Sequence, residues 1–223
     1  MTIKELFKFP VIRFNDIAKR TKSREYAWIL AHRLVKEGKL KRITKGVYST
    51  SDDLFSVASN IYYPSYISFL TASYLYGFTE TIPIRVYIVT SKLHKAIEFM
   101  GYTIEFIPLS SVWGYHKEEK EKHIMFIADI EKLMIDAFLR PDKMGNFIEI
   151  ENVFRMAEKV DENKIIEYLK KINSEIISRK VGYMLEKHKG IDIYEKIEIS
   201  RNYYYLNPFK KGNKIDKKWR MFI

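Results

Sequence analysis

Between Phe14 and Tyr48 the local signals leave few ways to fold the chain. Asn15–Arg20 reads as a short helix, Thr21-Lys22-Ser23 as a turn, and Arg24 to about Glu37 as a longer helix. Ser23 suits the N-cap because its hydroxyl can accept from an unpaired helical N–H. Ala27, Leu30, Ala31 and Leu34 recur at i, i+3, i+4 and i+7, one buried stripe at the helical period. Gly38 stands just past the last periodic residue, where a left-handed cap belongs. Leu40–Thr44 and Val47–Ser49 then flank Lys45-Gly46, a hairpin tip with a glycine. Helix, turn, helix and basic hairpin is the winged helix-turn-helix pattern, whose usual partner is duplex DNA.

The residues such a module offers to DNA follow from its geometry. Base edges are read from the N-terminal half of the second helix, which nominates Lys22, Ser23, Arg24, Tyr26 and Ile29. Arg33 and Lys36 lie further along and suit phosphates, which position a protein without specifying a sequence. On the wing, Lys41, Arg42, Thr44 and Lys45 suit the backbone or a minor groove. Each of these charges taken singly reads equally well as a solvated side chain; the cluster favours contact. Tyr26 and Trp28 flank the core stripe, and His32 reads as a surface histidine, because no second ligand stands at helical spacing.

Charge placement supports the same end of the chain. The 223 residues carry a net +11. Residues 1–50 hold 13 basic and 4 acidic side chains, residues 201–223 hold 7 and 1, and the middle is net acidic by 4. A compositional bias would spread evenly, so the basic ends imply polyanion binding with a steep salt dependence. Cysteine is absent, which excludes disulfides and thiolate metal sites and fits a reducing, cytoplasmic setting. The N-terminus is too charged for a signal peptide. Leu54–Thr79 carries no charge before Glu80, but Pro64 and the polar Ser56, Ser59, Asn60, Ser65, Ser68, Thr71 and Ser73 favour two buried helices over a membrane span.

The fold class expected is α/β (α+β), with a winged helix-turn-helix over 1–50 and a mixed α/β domain over 51–223. Residues 2–9 read as a first helix with Ile3, Leu6 and Phe7 inward, and Val11–Phe14 as extended before Asn15 or Asp16 caps the next helix. Ser49–Asp53 is a polar break and the expected boundary. Leu54–Tyr62 and Ser65–Tyr76 read as helices, Arg85–Thr90 and Tyr102–Ile107 as strands, and Lys95–Met100 as a short helix or turn. Val112–His116 and His123–Ile127 read as strands joined by an exposed charged run over 117–122. Ala128–Leu139 follows as an amphipathic helix, then helices over Glu149–Lys159, Glu162–Ile172 and Glu175–Lys189, and strands at Tyr203–Leu206 and Trp219–Ile223.

Laid out whole, the chain resembles the AbiEi family, antitoxins of abortive-infection (type IV) toxin–antitoxin systems and transcriptional regulators of viral defence. The resemblance rests on Leu34 through Ile43 and Lys45-Gly46-Val47-Tyr48, then Pro64 through Ser68, Tyr76 through Glu80 before Pro83, Ile130 through Asp136, and Arg140-Pro141. Leu206-Asn207-Pro208 and Lys218-Trp219-Arg220 also fit. The family often has His where Tyr76 stands and Thr where Leu133 stands. The resemblance implies an N-terminal domain that represses its own operon and a C-terminal domain that counters a nucleotidyltransferase-type toxin without a stable complex.

An enzyme is not expected. Asp129, Glu131, Asp136, His116 and His123 are types that build acid/base or metal sites. Yet no HExxH, glycine-rich phosphate loop, GxSxG or Gly-Ser turn with paired aspartates is present. Glu131 and Lys132 fit a polar helix face, with Asp136 pairing Lys132 at i+4. No cofactor, metal or membrane is implied. Two other classes stay open: a winged regulator unconnected to a toxin, and a nucleic-acid-processing enzyme using the second domain. A homodimer is compatible with the class, though no long heptad seam is visible.

Overall fold

The computed structural model describes residues 3–110, 112–120 and 122–223, which divide into two compact units. The first comprises residues 1–67 and 84–127, the second 68–83 and 128–223. The first unit therefore continues past the polar break at residue 50.

The first unit opens with α1 (Ile3–Leu6), β1 (Val11–Arg13), α2 (Phe14–Ala18), α3 (Arg24–Lys36), β2 (Lys41–Thr44) and β3 (Val47–Ser49). Residue 2 and the Ile3 side chain, expected in the first helix, lie outside what is described. Ser23 caps α3, its hydroxyl accepting from the Tyr26 N–H at 3.1 Å. The helix buries Ala27, Leu30, Ala31 and Leu34, the stripe expected from the sequence. They close a core with Leu6, Ile12, Phe14, Ile17, Leu40 and Tyr48. The α2 cap differs from expectation. Arg13 is the N-cap, and the Asp16 carboxylate accepts from its N–H at 3.0 Å, so Asp16 serves from the third helical position.

β1, β3 and β2 form one antiparallel sheet in that order, with a register shift between Arg42 and Thr44. Gly46 turns the hairpin at φ +73°, a left-handed conformation glycine adopts at no steric cost. The Ser49–Asp53 break is hydrogen-bonded rather than loose. The buried Ser49 hydroxyl lies 3.2 Å from the Pro10 carbonyl and 2.7 Å from that of Ser51, and Asp53 caps the next helix.

That helix is α4 (Leu54–Asn60), and β4 (Ser65–Ile67) follows. The strand replaces the start of the helix expected over Ser65–Tyr76. β4 lies inside a six-stranded sheet with β5 (Arg85–Thr90), β6 (Ile97–Phe99), β7 (Tyr102–Pro108), β8 (Tyr115–Lys120) and β9 (His123–Ala128), in the order β6-β7-β5-β4-β9-β8. It pairs antiparallel with β5 and parallel with β9, and all three of its residues are buried. A strand covered on both faces shows no alternation, so its sequence does not separate it from a buried helix.

Two further segments correct the sequence reading. Residues 97–99 form an edge strand on β7 instead of a helix or turn. β8 begins at Tyr115 and runs through Lys120, so much of the charged run is itself strand. It is the sheet's other edge, where charged side chains discourage pairing with another chain. Glu121, within that run, lies outside the described residues.

The second unit is mainly helical: α5 (Phe69–Leu75), α6 (Ile130–Leu139), α7 (Phe147–Met156), α8 (Glu162–Ile172) and α9 (Glu175–Lys189). α6 packs against the other four. Instead of being amphipathic, it buries eight consecutive residues, Glu131 to Phe138. A small sheet closes the unit, with β10 (Tyr204–Tyr205), β11 (Ile215–Asp216) and β12 (Met221–Phe222) ordered β10-β12-β11. The uncharged stretch 54–79 is thus spread over α4, β4 and α5. Among the described residues no helix is long and apolar enough to cross a membrane.

Candidate nucleic-acid interface

The core stripe of α3 fixes what the helix presents outward. At about 100° per residue, Glu25, Ile29, His32 and Lys36 lie opposite the stripe, with Arg24 and Trp28 on one flank and Tyr26 and Arg33 on the other. Arg24 and Tyr26 therefore face opposite sides of the helix. Ile29 is 65% exposed and suited to apolar contact in a groove, such as with a thymine methyl.

Lys22, Ser23, Arg24, Tyr26, Ile29, Arg33, Lys36, Lys41, Arg42, Thr44 and Lys45 are all solvent-exposed. Their availability differs. The Ser23 hydroxyl is already engaged, accepting for the helix cap and donating to the Glu25 carboxylate. Arg33 lies 3.8 Å from Glu37, and Lys41 lies 2.6 Å from Asp52. These exposed pairs are weak and exchange readily for a phosphate. Among the described residues, Lys22, Lys36, Arg42 and Lys45 have no ion-pair partner.

The structure also shows a groove that helical periodicity could not supply. Its floor is the Phe14 and Trp28 rings, 4.5 Å apart, and its rim carries Arg24 from α3 and Lys45 from the wing tip. The groove encloses about 330 Å³. The Phe14 N–H donates to the Gly46 carbonyl at 2.8 Å, tying the wing to the start of α2. Arg24 lies over the Phe14 ring at 5.3 Å, a cation–π contact that limits where its guanidinium can point. Arg13 also borders the groove, but its guanidinium donates to the Ile61 carbonyl at 2.8 Å and is anchored there. The sequence placed Trp28 only beside the core. Its role as groove floor depends on contact with a residue fourteen positions earlier.

Glu25 is the acidic member of the outward face. Backbone and then Ser23 hydrogen bonds hold its carboxyl below the ordinary glutamate range, so it is ionised at neutral pH. An ionised carboxylate on a reading helix accepts from a cytosine amino group and repels phosphate.

The acidic residues of the second unit are engaged with one another's neighbours. Asp129 accepts from the Tyr168 hydroxyl at 2.7 Å and pairs with Lys164 at 3.0 Å. Glu131 accepts from the Asp161 N–H at 2.9 Å and lies 3.4 Å from Lys164. Burial first, and then the Asp129 hydrogen bond and charge, push the Tyr168 phenol well above its usual range, so it remains a donor. Asp136 pairs with Lys132 as the i+4 spacing suggests, and accepts from the Ser68 hydroxyl at 2.8 Å. Lys132 and Asp136 are fully buried, so the polar solvent face expected on this helix is an internal ion pair. Among the described residues no group of three or more His, Cys, Asp or Glu is arranged to hold a metal ion. At the two positions where the family often differs, the Tyr76 hydroxyl donates to the Ala128 carbonyl at 2.6 Å and Leu133 is fully buried.

The helices α2 and α3 with a three-stranded wing define a winged helix-turn-helix module within a mixed α/β chain. Residues 1–50 match the family model described as "Transcriptional regulator, AbiEi antitoxin", in agreement with the family resemblance over that stretch. No curated protein gives a significant match. Among solved structures, the chain is similar to the RV2827C protein from Mycobacterium tuberculosis, with a TM-score of 0.62 and 11% identity over 95% of this chain and 85% of that one. At that identity the likeness concerns the fold.

Proposed function

We propose that this protein is a DNA-binding transcriptional repressor and antitoxin, acting on its own promoter and countering a nucleotidyltransferase-type toxin. The observation that carries the DNA-binding half is the continuous exposed surface of α3 and the wing, basic on both and joined through the Phe14–Trp28 groove. The antitoxin half rests on the family of the N-terminal module. The acidic residues of the second unit support a non-catalytic reading, because they accept hydrogen bonds that join α6 to neighbouring segments.

Arg24 is assigned to base reading, since its guanidinium is oriented by the Phe14 ring at the N-terminal end of α3. Arg24→Ala should lower affinity for the promoter by about 10- to 100-fold, the worth of a bidentate base contact, while changing affinity for random duplex much less. Equal losses on both duplexes would remove that assignment. Lys41→Ala with Arg42→Ala should weaken binding to any duplex and reduce the log–log salt slope by about 2.

The deciding experiment measures binding of the full chain to its own upstream DNA and to a scrambled duplex across a salt series. Promoter-preferring binding supports a repressor, and equal binding to both contradicts it. Co-expression with a nucleotidyltransferase encoded beside it tests the antitoxin half, where failure to restore growth would contradict that role.

A further inference from the structure

The small sheet of the second unit has two unlike faces. Tyr205 stands opposite Phe222, and Phe222 opposite Ile215, so these three share one row across β10, β12 and β11. Tyr204, Met221 and Asp216 form the adjacent row, on the other face. Met221 is fully buried and the Tyr204 ring lies 5.1 Å from the Arg179 guanidinium, so that second row faces the unit's interior.

The first face is turned to solvent. Tyr205 is 40% exposed and Ile215 53%, and Tyr203, one pleat before Tyr205, is 43% exposed. Phe222 holds this aromatic surface together, 5.0 Å from Tyr205 and 5.7 Å from Tyr203. The loop that follows β10 carries Phe209, 48% exposed. That loop is fixed. The Asn207 side chain accepts from the Phe209 and Lys210 N–H groups at 2.8 and 3.2 Å, and a Cβ on Gly212 would come within 2.3 Å of the Ile223 carbonyl oxygen.

Charge identifies the occupant. Lys211 lies 5.9 Å from the Tyr205 ring. Lys210, Lys211, Lys214 and Lys217 are exposed and, among the described residues, have no ion-pair partner. Asp216, the acidic residue of the segment 201–223, sits in the inward row and accepts from the Trp219 N–H at 2.7 Å. Protein-binding surfaces are depleted in lysine, whereas aromatic rings interleaved with unpaired cations on a sheet are how unstacked bases and their phosphates are held. We propose that this face binds single-stranded nucleic acid, with bases stacking on Tyr203, Tyr205 and Phe209 and phosphates meeting Lys210 and Lys211. The site is independent of the winged module, which is suited to duplex DNA.

The test uses the full chain with fluorescent oligo(dT) and oligo(rU) of about 12 nucleotides, within the size range of such sites. Binding of either supports the proposal, and the preferred one identifies DNA or RNA as the source. Tyr205→Leu should weaken binding by about five- to hundredfold through loss of one stacking partner, and Tyr205→Phe should leave it near wild type. Lys210→Ala with Lys211→Ala should lower the single-strand salt slope by about 1.4. Unchanged duplex binding and melting in these variants would show that the fold is retained. If Tyr205→Leu melts early, the half-exposed Phe209→Leu takes its place. The proposal is overturned if neither oligonucleotide binds, if the tail variants bind like wild type, or if Lys41→Ala with Arg42→Ala abolishes single-strand binding.

Discussion

Lys132→Ala should destabilise the second unit by about 3–5 kcal/mol, the range expected when one member of a buried ion pair is removed. Lys132 and Asp136 both have zero side-chain exposure, one turn apart on the helix that the other four pack around. Without the ammonium group, the Asp136 carboxylate loses one charged partner in a site water does not reach. Burying the carboxylate with fewer partners costs folding free energy. The Ser68 hydroxyl, 2.8 Å away, is a neutral donor and replaces only part of the loss. Lys132→Met combined with Asp136→Leu should recover most of the stability, because burying two apolar side chains of similar volume avoids desolvating two charges. Chemical denaturation of the two single variants and the double variant would measure this. A loss below about 1 kcal/mol for Lys132→Ala would mean the pair contributes little to stability.

The second large effect is at Gly182, in the middle of α9. A Cβ there would lie 2.3 Å from Cη2 and 2.4 Å from Cζ3 of Trp219, so a methyl group cannot be added without moving the indole. The indole has little room to move. It is 1% exposed, its N–H donates to Glu186 at 2.5 Å, and the Tyr194 ring packs edge-on at 5.4 Å. Gly182→Ala should therefore cost about 2–3 kcal/mol, near the upper end of ordinary overpacking and against its favourable helix propensity. For a chain of this size that corresponds to about 5–10 °C in melting temperature. Trp219→Phe in the Gly182→Ala background should restore part of the loss, whereas in the wild-type background it should destabilise by leaving a cavity. Opposite signs in the two backgrounds would identify the contact. A neutral Gly182→Ala would show that the indole shifts freely.

These sites also show where sequence reading succeeds and fails. Helix α3 and the hairpin after it were legible because their signals are local: a Ser23 cap, four apolar residues at the helical period, and glycines at 38 and 46 in left-handed conformations. Helices α8 and α9 likewise match the ranges read from periodicity. β4 was not legible, because three consecutive buried residues in an interior strand carry no period. Glu131 and Lys132 read as a polar helix face because a pattern of charge alone does not distinguish a hydrated group from one neutralised internally, although the i+4 pairing of Lys132 with Asp136 was legible. At the candidate site, residue types and exposure were readable. The Phe14 ring under Arg24 and the Asp52 beside Lys41 were not, since both depend on contacts made after the chain has folded back.

The order in which the chain visits its two units governs how it can be taken apart. Residues 68–83 belong to the second unit yet lie between segments of the first, so no single cut releases either one. A fragment 1–127 would carry α5 without α6 and α7, leaving Phe69 and Ala72 in water and inviting aggregation. A fragment 1–67 would lose β5 and β9, both hydrogen-bonding neighbours of β4. Proteolytic nicking and reporter fusions at these points would therefore report misfolding as loss of function. Genetic exchange faces the same barrier: the first unit cannot be transplanted onto another second unit by one recombination event.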